Sequence, residues 1–267
     1  MNLSHKNTIF FSALSLSTLL ILMWMFALFS LSNGNSPVYE IVELTILLTY
    51  AFAASALFHN AHCFGFNHII GRGLYFIFGG LVSFIISHLI WIYYAFLSDS
   101  FIPFPSLIDV FYILMAPFFI TGLWYLLSIY NVKRSIKFWS KVAGTYILTA
   151  ILFFIFVGTP FIGEPQTNGQ QFFNIIYPLT DIAYLTAIII ALTIIKKRFY
   201  KGLGFIILAL VLIVIVDIRV SIEISQGAWI EGGISDQLLV VLGFLIGIGG
   251  ILSATHFHRQ DKITKKI

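Results

Sequence analysis

The sequence predicts an all-α integral membrane protein with eight transmembrane helices. Of its 267 residues, 59% are hydrophobic and only 10% are charged, whereas a soluble domain averages about 25% charged residues. The apolar residues form runs of about 20, which is the length that a helix needs to cross a bilayer. A chain of this composition would aggregate in water, so we expect the lipid bilayer to be its solvent.

The eight predicted helices make up one polytopic domain that covers residues 1–267. The first, at about 8–31, is longer than the core of a signal peptide and lacks a clear small-residue cleavage site, so we interpret it as retained. Turns rich in polar residues, glycine or proline separate the helices. The other seven are predicted at about 39–60, 73–97, 106–130, 140–160, 173–195, 203–225 and 234–256.

The most clearly marked helix start lies at Pro105 and Ser106. Both residue types are frequent at the first positions of a helix, and Asp109 follows about one turn later. Capping of free backbone N–H groups is one explanation for this acid, and for Asp236 near the start of the last helix. A ligand, ion or proton site is the other explanation.

The distribution of basic residues predicts the orientation of the helices. If the eight helices alternate in direction, all but one of the 15 Lys and Arg residues fall on the same side of the membrane. The exception, Arg219, lies inside the seventh predicted helix. By the positive-inside rule, both termini are then cytoplasmic. No basic face forms, so nucleic acid is not an expected partner.

Ionisable side chains form a layer in the outer part of the predicted bundle. Such residues generally face the bundle interior and pair with one another. We therefore predict a polar chamber that opens to the outside, with Arg219 as the fixed cation among several carboxylates. A purely structural network of ion pairs and hydrogen bonds is the alternative. The predicted chamber residues are Glu43, His88, Asp109, Asp181, Asp217, Arg219, Glu223 and Asp236.

Histidines cluster at the predicted cytoplasmic ends of the helices. Contacts with lipid head groups and carbonyl groups are the leading interpretation, so no cofactor is expected. A copper or zinc site that includes the single cysteine, Cys63, is one alternative. Haem held between two helices is another. The candidate ligands are His59, His62, His68, His256 and His258.

A short motif recurs along the chain. The pattern Pro-x-x-x-Asp-x-x-Tyr at 105–112 is similar to Pro-x-x-Asp-x-x-Tyr at 178–184. Both segments are predicted in helices that run inward from the outer side. The recurrence suggests that predicted helices 3–4, 5–6 and 7–8 are three related hairpins.

These motifs carry a resemblance to a known group of proteins. Segments 72–75, 91–94, 103–112 and 177–181 resemble the multi-pass N-terminal membrane region of bacterial GGDEF/EAL signalling proteins and of some histidine kinases. There, a W-x-x-Y-like helix end precedes a P-S-x-x-D-x-x-Y helix start, and Y-P-x-x-D follows later. The resemblance implies a sensory module of a prokaryotic plasma membrane, with no catalytic residues. The sequence ends at Ile267 without an effector domain, so a separate signalling partner is expected.

The leading functional hypothesis is therefore a non-catalytic membrane sensor or receptor-like module. Among the motifs of hydrolases, metalloproteases and nucleotide-binding enzymes, none occurs in the sequence. A transporter of ions, protons or small solutes could use the same acids. A metal- or haem-binding membrane subunit of a larger complex is the third hypothesis.

Overall fold

The computed structural model of the chain is all-helical, and no strand occurs among the residues that it describes. These are 38–97, 102–130, 135–156, 167–195, 201–225 and 233–264, and in the last range the side chains are described as far as Ser253. Seven helices in these ranges are long and apolar enough to cross a membrane. The prediction of an all-α, multi-pass membrane protein is confirmed to that extent. The first predicted helix, at 8–31, lies outside the described residues.

The helices correspond to the second to eighth predicted helices. A π-helical turn, Tyr93–Leu97, extends the second of them, and a 3₁₀ turn, Ser128–Tyr130, follows the third. Their bounds are α1 (Val38–Phe64), α2 (Ile69–Ile92), α3 (Leu107–Leu127), α4 (Ile136–Phe156), α5 (Asn168–Ile195), α6 (Lys201–Ser225) and α7 (Ile234–Thr264).

The observed start of α5 differs from the predicted start, and the difference changes the position of Asp181 within the helix. The helix begins at Asn168 and not at about 173, because Thr167 and Gln170 form a reciprocal cap. The Thr167 N–H donates to Gln170 Oε1 at 2.9 Å, and the Gln170 N–H donates to Thr167 Oγ1 at 3.3 Å. This arrangement satisfies two N–H groups that otherwise lack a partner at a helix start. Asp181 therefore lies more than three turns inside α5, too deep to act as a cap.

Six of the helices close into a ring. Along the ring, α1 packs on α2, α2 on α3, α3 on α5, α5 on α6, α6 on α7, and α7 on α1. The remaining helix, α4, packs on α5 from outside, and most of its large apolar side chains are exposed. An apolar surface of this kind is suited to contact with lipid. We refer to α1, α2, α3, α5, α6 and α7 together as the helix ring.

Glycines allow close approach between neighbouring helices of the ring, as two contacts illustrate. A Cβ atom added to Gly122 of α3 would lie 2.8 Å from the backbone oxygen of Gly73 in α2. One added to Gly243 of α7 would lie 2.8 Å from Thr49 Oγ1 of α1. Apolar surface gives little drive for helix association in lipid, so such close van der Waals packing is a main source of stability.

The interior of the ring is polar towards one end and apolar towards the other. The polar end is where α1, α3, α5 and α7 begin, which is the predicted outer side. Towards the opposite end the interior is mostly aliphatic, although Ser253 is also buried there. Buried side chains of that half include Leu57, Leu74, Leu123, Leu126, Ala191, Ile195, Leu203 and Ile206.

Candidate functional site

Asp109 both caps α3 and joins it to α5. Ser106 Oγ accepts the Ile108 N–H at 3.2 Å, and the Ser106 N–H donates to Asp109 Oδ2 at 2.7 Å. This is the capping box that the sequence favours at this helix start. The second carboxylate oxygen, Oδ1, accepts the Tyr177 hydroxyl of α5 at 2.7 Å. The capping interpretation is confirmed for Asp109, and the acid also forms an interhelical hydrogen bond.

Asp181 of α5 and Asp217 of α6 meet in the interior of the ring. Their carboxyl groups lie within hydrogen-bonding reach of each other. The Tyr112 hydroxyl of α3 donates to Asp217 Oδ1 at 2.5 Å. No described residue donates a hydrogen bond to Asp181 Oδ1, although Asp181 is only 5% exposed. Three helices thus bring two acids and one phenol to a single point.

Tyrosines surround the two acids. Tyr50 of α1 and Tyr184 of α5 are almost fully buried, and their hydroxyl groups have no hydrogen-bond partner among the described residues. Both interact electrostatically with Asp217. Tyr177 also lies within range of that carboxyl group. We call this group the tyrosine–aspartate cluster, and its members are Tyr50, Tyr112, Tyr177, Tyr184, Asp181 and Asp217.

Aromatic stacking connects the cluster to a second buried pair. The Phe84 ring stacks on Tyr50 with centroids 3.9 Å apart, and it also packs on His88 at 5.7 Å. His88 Nε2 of α2 lies 3.2 Å from Glu43 Oε2 of α1, and equally far from the Glu43 carbonyl oxygen. Both side chains are buried. The imidazole of His88 and the carboxyl group of Glu43 thus bridge α2 and α1 in the interior of the ring.

Arg219 does not supply a counter-charge to the two aspartates. Its Nε lies 2.7 Å from Glu223 Oε1 one turn along the same helix, as the i, i+4 spacing predicts. The Arg219 side chain is 42% exposed, so this pair lies at the periphery of α6. Ser235 Oγ at the start of α7 donates to Glu223 Oε2 at 2.9 Å. Within the described residues, neither Asp181 nor Asp217 has an ion pair.

The remaining chamber residue, Asp236, is buried in the first turn of α7. This position agrees with the capping interpretation, since a carboxylate near a helix start meets the positive end of the helix dipole. The eight predicted residues thus fall into separate groups. Asp109, Asp181 and Asp217 belong to one network, whereas the other five form smaller groups.

The predicted histidine ligands whose side chains the structure describes are His59, His62 and His68. His68 is the N-cap of α2, and its Nδ1 accepts the Ile70 N–H at 3.3 Å. His59 Nε2 lies 3.8 Å from Cys63 Sγ on the exposed end of α1. Among the described residues no three metal-ligating side chains come together. The side chains of His256 and His258 lie outside the described residues, so the metal and haem hypotheses stay predictions.

Sequence analysis did not include the tyrosines of the cluster among the site residues. A signal was present, since a tyrosine follows each acid of the recurring motif by three residues. The hydrogen bonds, however, cross between helices: Asp109 binds Tyr177, and Asp217 binds Tyr112. Tyr50 carries no sequence signal beyond being a phenol in the middle of an apolar helix.

The fold and the tyrosine–aspartate cluster define a multi-pass helical membrane protein whose interior is polar towards one end. Comparison with known proteins gave no match, whether with a family model, a curated protein or a solved structure. The resemblance to the membrane regions of signalling proteins thus stays a prediction.

Proposed function

We propose that this protein is a sensor or receptor-like module that binds a small ligand within the helix ring and signals through a separate protein. We place it in the plasma membrane of a prokaryote, with eight transmembrane helices and both termini in the cytoplasm. The basic loops and tail support this orientation. We propose no catalytic role.

One observation carries the proposal. Asp181, Tyr50 and Tyr184 are buried together, yet a carboxylate oxygen and two hydroxyl groups have no hydrogen-bond partner among the described residues. Buried polar atoms in native proteins nearly always have a partner, so an unmatched group needs an explanation. Three buried polar atoms without partners, on residues that interact electrostatically within one cluster, support a bound ligand that completes their hydrogen bonds.

The apolar half of the ring favours a receptor over a transporter. A transporter requires a polar path through the whole membrane, and its charged residues mark that path. Here the polar side chains of the interior lie mainly towards the predicted outer end, and Leu57, Leu74 and Leu123 are among those that fill the other half. A ligand that reaches the cluster from outside would thus meet a closed inner end.

Purification of the full chain from its native membranes in mild detergent tests the receptor hypothesis. We expect a kinase, a cyclase or a phosphodiesterase to co-purify, and its activity in nanodiscs to differ between the wild-type chain and the Asp217→Asn variant. Thr186→Val is the control, because the Thr186 hydroxyl bonds only within α5, to the Ile182 carbonyl oxygen at 2.8 Å. Recovery of no signalling enzyme, or an enzyme that ignores Asp217→Asn, would contradict the proposal.

A transporter is the second candidate, and the facing acids of α5 and α6 are the observation that favours it. Carboxyl groups buried in a membrane frequently mark ion or proton pathways. Proteoliposomes that contain the protein and a pH-sensitive dye separate the two candidates. The receptor hypothesis predicts no flux when an ion gradient is applied. A flux that Asp181→Asn abolishes would favour the transporter.

A further inference from the structure

Asp181 and Asp217 face each other in the interior of the ring, and the negative charge of the two carboxyl groups needs compensation. Two carboxylates at hydrogen-bonding separation repel each other, so they cannot both stay ionised unless a cation lies between them. Tyr112 supplies a hydrogen bond to Asp217, but no described donor reaches Asp181 Oδ1. Either a proton that the two carboxyl groups share or a cation bound between them must therefore offset their repulsion.

The unmatched tyrosines are an independent indication of a ligand. Tyr50 is 0% exposed and Tyr184 is 2% exposed, and the hydroxyl of each has no partner among the described residues. Each of these two tyrosines interacts electrostatically with the Asp217 carboxyl group. Oxygen atoms from α1, α5 and α6 thus interact electrostatically within one region of the interior, and a cation bound at the acids would supply a partner there.

The chemistry of the cluster favours a small, hard ion. Its polar groups are all oxygen atoms, which suit alkali and alkaline-earth cations better than soft metals. Tyr50 and Tyr184 are among the largest fully buried side chains, and Phe84 stacks directly on Tyr50. Such a packed site suits an atom-sized ligand better than an organic molecule. Ca²⁺ needs six to eight oxygen ligands and Mg²⁺ retains several waters, so a monovalent ion fits this site better.

We propose that Asp181 and Asp217 bind one small monovalent cation of the Na⁺ class, which displaces the proton that the two carboxyl groups share. One cation enters and one proton leaves, so the charge of the buried site does not change. The inference rests on the proposed function, because it names the ligand of the receptor. The titratable groups that face the pair from the neighbouring helices are Tyr50 of α1, Tyr112 of α3, and Tyr177 and Tyr184 of α5.

Equilibrium binding of ²²Na⁺ to the purified chain in detergent, measured from pH 5 to 9, tests the inference. We expect saturable binding of about one ion per chain, with an affinity that falls as the pH is lowered because protons compete. Asp181→Asn and Asp217→Asn should each weaken binding at least tenfold. Thr186→Val should bind as the wild type does. Choline chloride at equal ionic strength, whose cation is too large for the site, should not displace ²²Na⁺.

If the asparagine variants fail to fold, variants that remove only a tyrosine hydroxyl group still test Na⁺ binding. Tyr184→Phe and Tyr50→Phe should each weaken Na⁺ binding several-fold. Tyr146→Phe is the control, since the Tyr146 hydroxyl on α4 makes no hydrogen bond with the described residues. Size-exclusion chromatography and circular dichroism establish that each variant is folded.

Several results would overturn the inference. These are no saturable Na⁺ binding between pH 5 and 9, binding of Ca²⁺ but not Na⁺, or Tyr184→Phe and Tyr50→Phe binding as tightly as Tyr146→Phe. If Na⁺ does not bind but a signalling enzyme co-purifies, only the identity of the ligand is wrong. If Na⁺ binds and no enzyme is recovered, the ion site stands and the receptor hypothesis fails.

Discussion

Removal of the Tyr112 hydroxyl should destabilise the contact between α3 and α6. In Tyr112→Phe, the Asp217 carboxyl group loses a hydrogen bond of 2.5 Å while the ring remains. A hydrogen bond to a charged group contributes about 1.5–3 kcal/mol to stability. Each kcal/mol lowers Tm by about 2–4 °C in a domain of 150–250 residues, so we expect a fall of about 5 °C. Size-exclusion chromatography of heated, detergent-solubilised protein measures Tm.

A matched control and a double-mutant cycle test the reason for that fall. Tyr146→Phe removes a hydroxyl group that forms no hydrogen bond with the described residues, and it should change stability by less than about 0.5 kcal/mol. In the cycle of Tyr112→Phe with Asp217→Asn, the two changes should couple by about 1–2 kcal/mol. Additive effects, or equal losses in Tyr112→Phe and Tyr146→Phe, would refute the assigned hydrogen bond.

Two further predictions concern packing and the second buried pair. A Cβ atom at Gly122 would lie 2.5 Å from Ile77 Cγ1, so Gly122→Ala should lose about 1–3 kcal/mol by overpacking. Nothing lies within 4 Å of one at Gly144, so Gly144→Ala should be neutral or gain up to about 1 kcal/mol from helix propensity. His88→Leu should destabilise by about 3 kcal/mol because Glu43 loses its buried imidazole partner, and His88→Leu with Glu43→Gln should recover part of that loss. Tm measurements of the four variants check both predictions, and similar values for Gly122→Ala and Gly144→Ala would contradict the first.

The sequence is sufficient to predict the helices and some of the positions at which they begin. Apolar runs long enough to cross a membrane predict seven of the helices observed, and Ser106 with Asp109 marks the start of α3. The start of α5 could have been predicted as well, because Thr167 and Gln170 have the spacing of a capping box. The polar residues of that first turn delay the apolar run by several residues, and the predicted start follows the apolar run.

The pairing of side chains could not be predicted in the same way. Asp109 and Tyr177 are 68 positions apart, and Tyr112 and Asp217 are 105 apart. Which side chains meet depends on the order of helices around the ring, and helical periodicity carries no information about that order. Arg219 illustrates the difficulty, because the i, i+4 spacing explains its ion pair with Glu223. The prediction of a polar chamber instead places Arg219 among the buried carboxylates.

The tyrosine–aspartate cluster gives the ring a specificity that apolar packing alone would not provide. Leucine and isoleucine side chains are as stable against lipid as against another helix, so they distinguish poorly between neighbours. On one side of the ring, close glycine contacts fix α2 against α3 and α7 against α1. On the other side, α5 meets α3 through Asp109 and Tyr177, and α6 meets α3 through Asp217 and Tyr112. Because the Tyr112 bond ends on Asp217, one of the two facing acids, a ligand bound to these acids would act on the contact between α3 and α6.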